Sequence, residues 1–469
     1  MARLCAALCL LAACCALAAP GVAAAPGAEA SARDSVASIY RELVDIDTTH
    51  STGDTLAAAQ AMAKRLLDAG FEAGDVEVMQ VAPRKGNLVA RYRGTGGLAP
   101  VLLLAHLDVV EARKEDWSGN LDPLKLTERD GYFYGRGSID DKAMAAIFVA
   151  NLVRYRREGY RPKADVIVAL TADEETGGAN GVAWLIAHRR DAIAARVAVN
   201  EGGGGSLRSG KPFMLGVGVS EKMFLSFDFE ATNPGGHSSV PRRDNAIYDL
   251  AAALGRLAAL ELPVRLSPAT RASFLQYAAL EREPLASALE SVAREQASEA
   301  QLARVSRVPR YNAQLRTTCV ATRLEGGHAD NALPQRARAT VNCRLLPGED
   351  PQLVLRELER VAGERVAVRM RGHVRVSTPS DVNAPAMAAI RGVAESLWPG
   401  VPVVPIMGTG ATDGSRLRNA GIPVYGVSGI FVEHGEDRIH GRDERVGVAA
   451  FFDAAEFLYR LGKALADGK

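Results

Sequence analysis

The sequence predicts an α/β fold: a helix-covered, mostly parallel sheet built from two segments of the chain, with a smaller α+β domain inserted between them. Three observations predict it. Runs such as VLLLA (101–105) and VIVAL (166–170) are apolar at every position, as strands buried beneath helices are, and they alternate with stretches of helical spacing. Near Val219 the pattern changes: MFLSFDFE (223–230) alternates, as a strand with one wet face does. After Ser380 the first pattern returns. A chain of 469 residues has room for two or three domains. The expected boundaries are a leader over 1–25, the large domain over 31–218 and 380–469, and the insertion over 219–379.

The elements follow in order. Arg3 precedes an apolar run over 4–19, and small residues continue through Ala25. This pattern predicts a secretory signal peptide, too short for a comfortable membrane span, and an Ala/Pro/Gly linker to Ala30. Leu11-Ala12-Ala13-Cys14 matches a bacterial lipoprotein box, which makes Cys14 a candidate lipid anchor and the only expected link to a membrane. Two helical stretches are expected within 35–69, around a loop at 48–54. Strands are expected over 87–92, 101–106, 164–170 and 195–199, and helices over 141–157 and 178–188. In the insertion, 246–260 reads as an amphipathic helix and 267–305 as charged and helical; 315–323, 338–346 and 366–376 read as strands. The last segment holds a helix over 385–397, strands near Val403 and Val424, and a helix over 446–465.

Four of the six cysteines lie in the leader. Cys319 and Cys343 remain, and an exported chain permits their pairing as readily as two separate thiols. The net charge of +1 provides no basic field for a nucleic acid. Selectivity must come from a site.

Such a site is written at the strand ends. His106-Leu107-Asp108, Asp173-Glu174-Glu175 and Asn200-Glu201 each follow an apolar strand. In parallel α/β sheets, ligands bind beyond the carboxyl ends of the strands. Asp140 and Asp141 open a helix after a glycine-punctuated loop, and Asp437-Arg438-Ile439-His440-Gly441 precedes the last helix. An isolated Asp-Asp, Glu-Glu or strand-end histidine is ordinarily a cap or a solvated surface; several at neighbouring strand ends are not. Imidazoles and carboxylates together suit zinc or a related divalent ion, which turns water into a nucleophile near neutral pH. Successive side chains of extended backbone point opposite ways, so one of Glu174 and Glu175 can bind metal while the other takes the proton. Asp108 would orient His106 or a ligating carboxylate. Asp141 is expected to do no more than charge a helix N-terminus.

At these residues the chain resembles the di-zinc exopeptidase and deacylase family of glutamate carboxypeptidase, succinyl-diaminopimelate desuccinylase, aminoacylase and carboxypeptidase S. The matching segments are LLLAHLDVV, YGRGSIDDKA, LTADEETGG, NEGGG, GGHSS, DNALPQRARATVNCR, GATDGSR and IHGRDERV, in the family's order. The resemblance implies that His106 and Glu201 hold one metal, Glu175 and His440 the other, and Asp140 bridges them. Glu174 would be the general base and Asp108 the aspartate behind the ligands. The metals implied are two divalent ions, zinc first, with cobalt or manganese as alternatives. His237, in the GGHSS turn, would bind the reacting carbonyl from an inserted lid and dimerisation domain that pairs two subunits. Asn331, Arg344 and Gly408 would hold the substrate carboxylate. Where many carboxypeptidase S relatives have Asp, this chain has Asn200, leaving Glu201 as the ligand there. The extra helical stretch over 267–305 and the leader favour the carboxypeptidase S branch over a cytoplasmic desuccinylase. The implied function is hydrolysis of an amide bond beside a free carboxylate, in a small peptide or an N-acyl amino acid. A non-catalytic metal- or peptide-binding module is the alternative, and the retention of Glu174 and every ligand argues against it.

Overall fold

A computed structural model describes residues 26–372, 378–436 and 438–469. The leader, Cys14 and Asp437 lie outside the described residues, as do 373–376 of the expected strand. Among the described residues, no helix is long and apolar enough to cross a membrane.

A ten-stranded sheet forms the large unit. At its centre Ala164–Thr171, Leu98–His106, Val197–Asn200 and Val424–Gly426 lie side by side and parallel. The flanks include antiparallel pairs: Val76–Ala82 with Lys85–Tyr92 at one end, Gly205–Arg208 with Lys211–Glu221 at the other. Helices cover both faces, which explains the unbroken apolar runs. Leu103 and Ala105 enter a core with the helices Pro26–Asp45, Lys142–Arg157 and Val448–Asp467. Leu102 and Leu104 enter another with Gly181–His188 and Gly414–Asn419. The helix Lys142–Arg157 is buried on nearly every side rather than along the single Met144–Phe148–Leu152 stripe, because it lies between the sheet and three other helices. Alanines at 143, 145, 146 and 150 permit that close approach. The helix Pro26–Asp45 begins inside the expected linker; proline's fixed φ suits a first helical turn.

The second sheet has four antiparallel strands in the order Thr318–Gly326, Arg336–Leu345, Met223–Thr232, Val366–Arg371. Met223, Leu225, Phe227 and Phe229 pack beneath Ala246–Ala258 and Pro351–Ala362. The Pro351 helix is absent from the sequence expectations although Asp350 caps it and proline starts it. The stretch expected as one helical run over 267–305 is three short helices, Pro268–Ala278, Leu285–Ala293 and Glu299–Ser306, and a fourth, Pro309–Leu315, follows them. They enclose their own core of Phe274, Leu289, Val292, Val305 and Tyr311, and the first of them leans on Val403–Gly408 of the large sheet. Cys319 and Cys343 sit directly opposite each other on adjacent strands and form a disulfide.

Candidate metal centre and active site

Three adjacent parallel strands end together, so their terminal residues share one edge. His106 closes its strand nearly buried. Its Nδ1 lies 2.9 Å from the Asp108 carbonyl oxygen, to which the ring N–H can donate, leaving the Nε2 lone pair facing inward. There Nε2 is 2.8 Å from Asp140 Oδ1 and 3.9 Å from Glu201 Oε1. On the other side of Asp140, His440 Nε2 is 3.1 Å from Oδ2 and 2.9 Å from Glu175 Oε1. Asp140 thus lies between the two imidazoles, one oxygen toward each. Ligand atoms of His106, Asp140 and Glu175 fall within 4.8 Å of one another, as do those of His106, Glu174 and Glu201. The cluster is enclosed except at His440, whose side chain is 48% exposed.

Two expectations about local geometry change. Glu174 and Glu175 lie in a turn, not in extended backbone, and the turn parts their side chains. Asp173, with φ near 60°, begins this turn and is anchored by Lys85 at 2.9 Å. The Asp108 carboxylate does not face the His106 ring closely: it is 3.7 Å away and accepts instead from the backbone N–H groups of Glu174 and Glu175, at 3.0 and 3.1 Å. Its carbonyl orients the histidine; its carboxylate holds the glutamate turn. Asp141 stands at the helix N-terminus but caps nothing. Its carboxylate is buried without a hydrogen-bond partner among the described residues, and burial raises its pKa well above the ordinary value.

The electrostatics describe a donor set that its own residues leave unbalanced. Burial and the charge of Asp413 push the Glu174 carboxyl well up; burial and Asp140 do the same to Glu201. Burial opposes the Asp140 charge, but hydrogen bonds from both histidines hold its carboxyl far below the usual range. The same bonds, with Glu175, raise His440 to about 10. Seven buried or half-buried carboxylates around two imidazoles call for added positive charge, and N/O donors in two overlapping groups fit divalent cations. Sequence reading gave no role to Asp413, which reaches the site from the Gly414–Asn419 helix start and accepts a 2.7 Å bond from Asn180.

The other candidates are dispersed. Gly408 shares a 140 Å³ cavity with Glu201. Arg344 is on the small sheet over the Phe224 ring, half-buried and with no carboxylate partner among the described residues. His237 is exposed on a two-residue strand paired with Ala332–Leu333; its Nδ1 is bonded to Ser239, and Asn331 is joined to the same turn through Ser238. Among the described residues, no hydrogen bond or ion pair links Arg344, His237 or Asn331 to the metal cluster within the chain.

Known proteins resemble this chain in sequence and in fold. The N-fatty-acyl-amino acid synthase/hydrolase PM20D1 of Homo sapiens is 31% identical over 395 residues, covering 78% of this chain and 74% of the relative. A probable carboxypeptidase S-like 2 of Dictyostelium discoideum is 28% identical, covering 80% and 74%. Among solved structures, the M20 family metallo-carboxypeptidase Sso-CP2 of Sulfolobus solfataricus superposes with a TM-score of 0.70 at 18% identity, over 92% of this chain and 99% of that one. The family model for peptidases M20/M25/M40 matches residues 102–464, from the strand that delivers His106 to the helix that follows His440. That span contains every proposed ligand in one continuous match, and the chain belongs to peptidase family M20/M25/M40.

Proposed function

We propose that this metal-dependent amide hydrolase cleaves N-acyl amino acids, and small peptides of like shape, at the amide bond beside their free carboxylate, with two zinc ions at its centre. The observation that carries the reading is Asp140 lying between His106 and His440, with Glu174 beside them. His106 and Glu201 would hold one ion, Glu175 and His440 the other, with Asp140 shared. Bound there, the ions would acidify water and polarise the amide carbonyl. Glu174 takes the water's proton and passes it to the departing nitrogen, the two steps of a positioned general base and acid. Asp108 keeps the Glu174 turn in place. Arg344, a half-buried guanidinium without a carboxylate partner among the described residues, suits the substrate carboxylate; Asn331 and Gly408 are the further candidates for holding it. The similarity to an N-fatty-acyl-amino acid synthase/hydrolase favours an acyl group of fatty-acid length.

His237 would complete the site of a neighbouring subunit, and its exposure supports that placement. The leader and the Cys319–Cys343 disulfide favour an exported protein, periplasmic or secreted, with Cys14 as the candidate anchor. The test is a panel of N-acyl amino acids of graded chain length, their C-terminal amides, and dipeptides, each with zinc and with a chelator. Cleavage of the free acids, loss on amidation and loss with chelator are expected. No cleavage of any free acid by zinc-loaded protein would overturn the reading.

A further inference from the structure

Between the glycine loop before Asp140 and the segment around His440 lies an ion pair that the reaction does not use. Glu444 is 0% exposed and Arg136 3%. Arg136 Nη1 donates to Glu444 Oε2 at 2.7 Å. The same carboxylate accepts from the backbone N–H groups of Gly137, Ile139 and Asp140, at 3.2, 2.8 and 3.3 Å. On the other side of the pair, Arg136 Nη2 donates to the carbonyls of Gly441 at 2.8 Å and His440 at 3.3 Å. The two residues leave neighbouring antiparallel strands, Tyr132–Tyr134 and Arg445–Gly447, so the ladder fixes their approach.

We propose that the Arg136–Glu444 pair is the positioning device for the metal half-site of Asp140, Glu175 and His440, setting how tightly that ion is retained. The inference rests on the two-ion reading above. Asp140 and His440 come from segments 300 residues apart, and His440 is the most exposed of the five ligands. Its backbone is held to the body of the protein by Arg136, and the Asp140 backbone by Glu444. A buried ion pair is a weak source of stability compared with apolar packing, but it holds hydrogen-bonded groups in one register. Here the groups so held are the main chains of two ligands that must meet within one coordination sphere. The other half-site shares Asp140 but takes its remaining ligands from His106 and Glu201, which the pair does not touch.

The test uses full-length protein equilibrated against buffered free zinc, with ions per chain counted by elemental analysis. Glu444→Gln keeps the volume but turns one acceptor oxygen into a donor facing backbone N–H groups or Arg136. Arg136→Lys keeps the charge but cannot reach two carbonyls and a carboxylate together. Each variant should weaken the ion at Glu175 and His440 by ~10- to 100-fold, the range for residues that orient ligands, and the ion at His106 and Glu201, which meets the pair only through the shared Asp140, by clearly less. Turnover lost in dilute zinc should return in excess zinc with KM unchanged. Two ions held as tightly as in the wild type would overturn the proposal, as would equal weakening of both. If both variants fail to fold even in saturating zinc, the pair serves the fold and the proposal is likewise overturned. A wild-type protein that binds no zinc would instead defeat the two-ion reading itself.

Discussion

Replacing Glu174 by Gln separates proton transfer from metal binding. Gln has the same length and presents the same backbone N–H to Asp108, whose 3.0 Å bond should persist. The turn, and with it the Glu175–His440 contact of 2.9 Å, should therefore be undisturbed. What disappears is a carboxylate whose pKa burial and Asp413 have moved upward, which makes it a better proton acceptor than an ordinary glutamate. Loss of a positioned general base typically lowers turnover ~100- to 10,000-fold, equivalent to about 3–5 kcal/mol in the barrier. The assay is amine release from an N-acyl amino acid, read as kcat, beside elemental analysis of the same preparation. Metal content should stay near that of the wild type while kcat falls through this range. Glu175→Gln is the companion: it removes a partner of His440, so metal should be lost along with activity. If Glu174→Gln kept turnover within tenfold and lost metal, the two glutamates would have to exchange roles.

Three further outcomes are expected. Gly426→Ala should lower the melting temperature and weaken the ion at His106 and Glu201: an added Cβ would lie 2.3 Å from the Glu201 carbonyl oxygen, and overpacking of this kind costs ~1–3 kcal/mol; an unchanged melt and unchanged metal content would count against it. Mixing inactive Glu174→Gln and His237→Ala chains under subunit exchange should restore part of the activity, because a mixed dimer holds one site with both groups intact; no recovery, or an active His237→Ala variant, would remove His237 from the partner's site. Mass spectrometry of protein recovered from its native cell should find the chain cleaved among the alanines near 18–25 or beginning at a lipid-modified Cys14; an intact Met1 would exclude both.

The sequence alone determined the layers and much of the centre. Buried parallel strands write themselves as VLLLA and VIVAL because both faces are covered, and a polar residue directly after such a run must stand at the sheet's carboxyl edge. His106, Asp108, Glu174, Glu175 and Glu201 were legible for that local reason. Asp140 and His440 lie in loops, where periodicity carries no information; their residue types marked them as candidates, and the motif resemblance gave them their roles as ligands.

What only the tertiary structure decided depends on contacts across the chain. Whether Cys319 and Cys343 pair was settled by strand register, which sets them opposite each other. The parting of Glu174 and Glu175 comes from a turn held by Asp108 and Lys85, each from another strand or its end. Asp413 and the Arg136–Glu444 pair were hidden because an isolated acid or arginine looks the same on a solvated surface as in a buried clamp. Composition and spacing record how each segment relates to its own neighbours in sequence. The order of strands in a sheet, fixed by packing the whole chain, decides which distant segments share an edge, and that order brings His440 to Asp140.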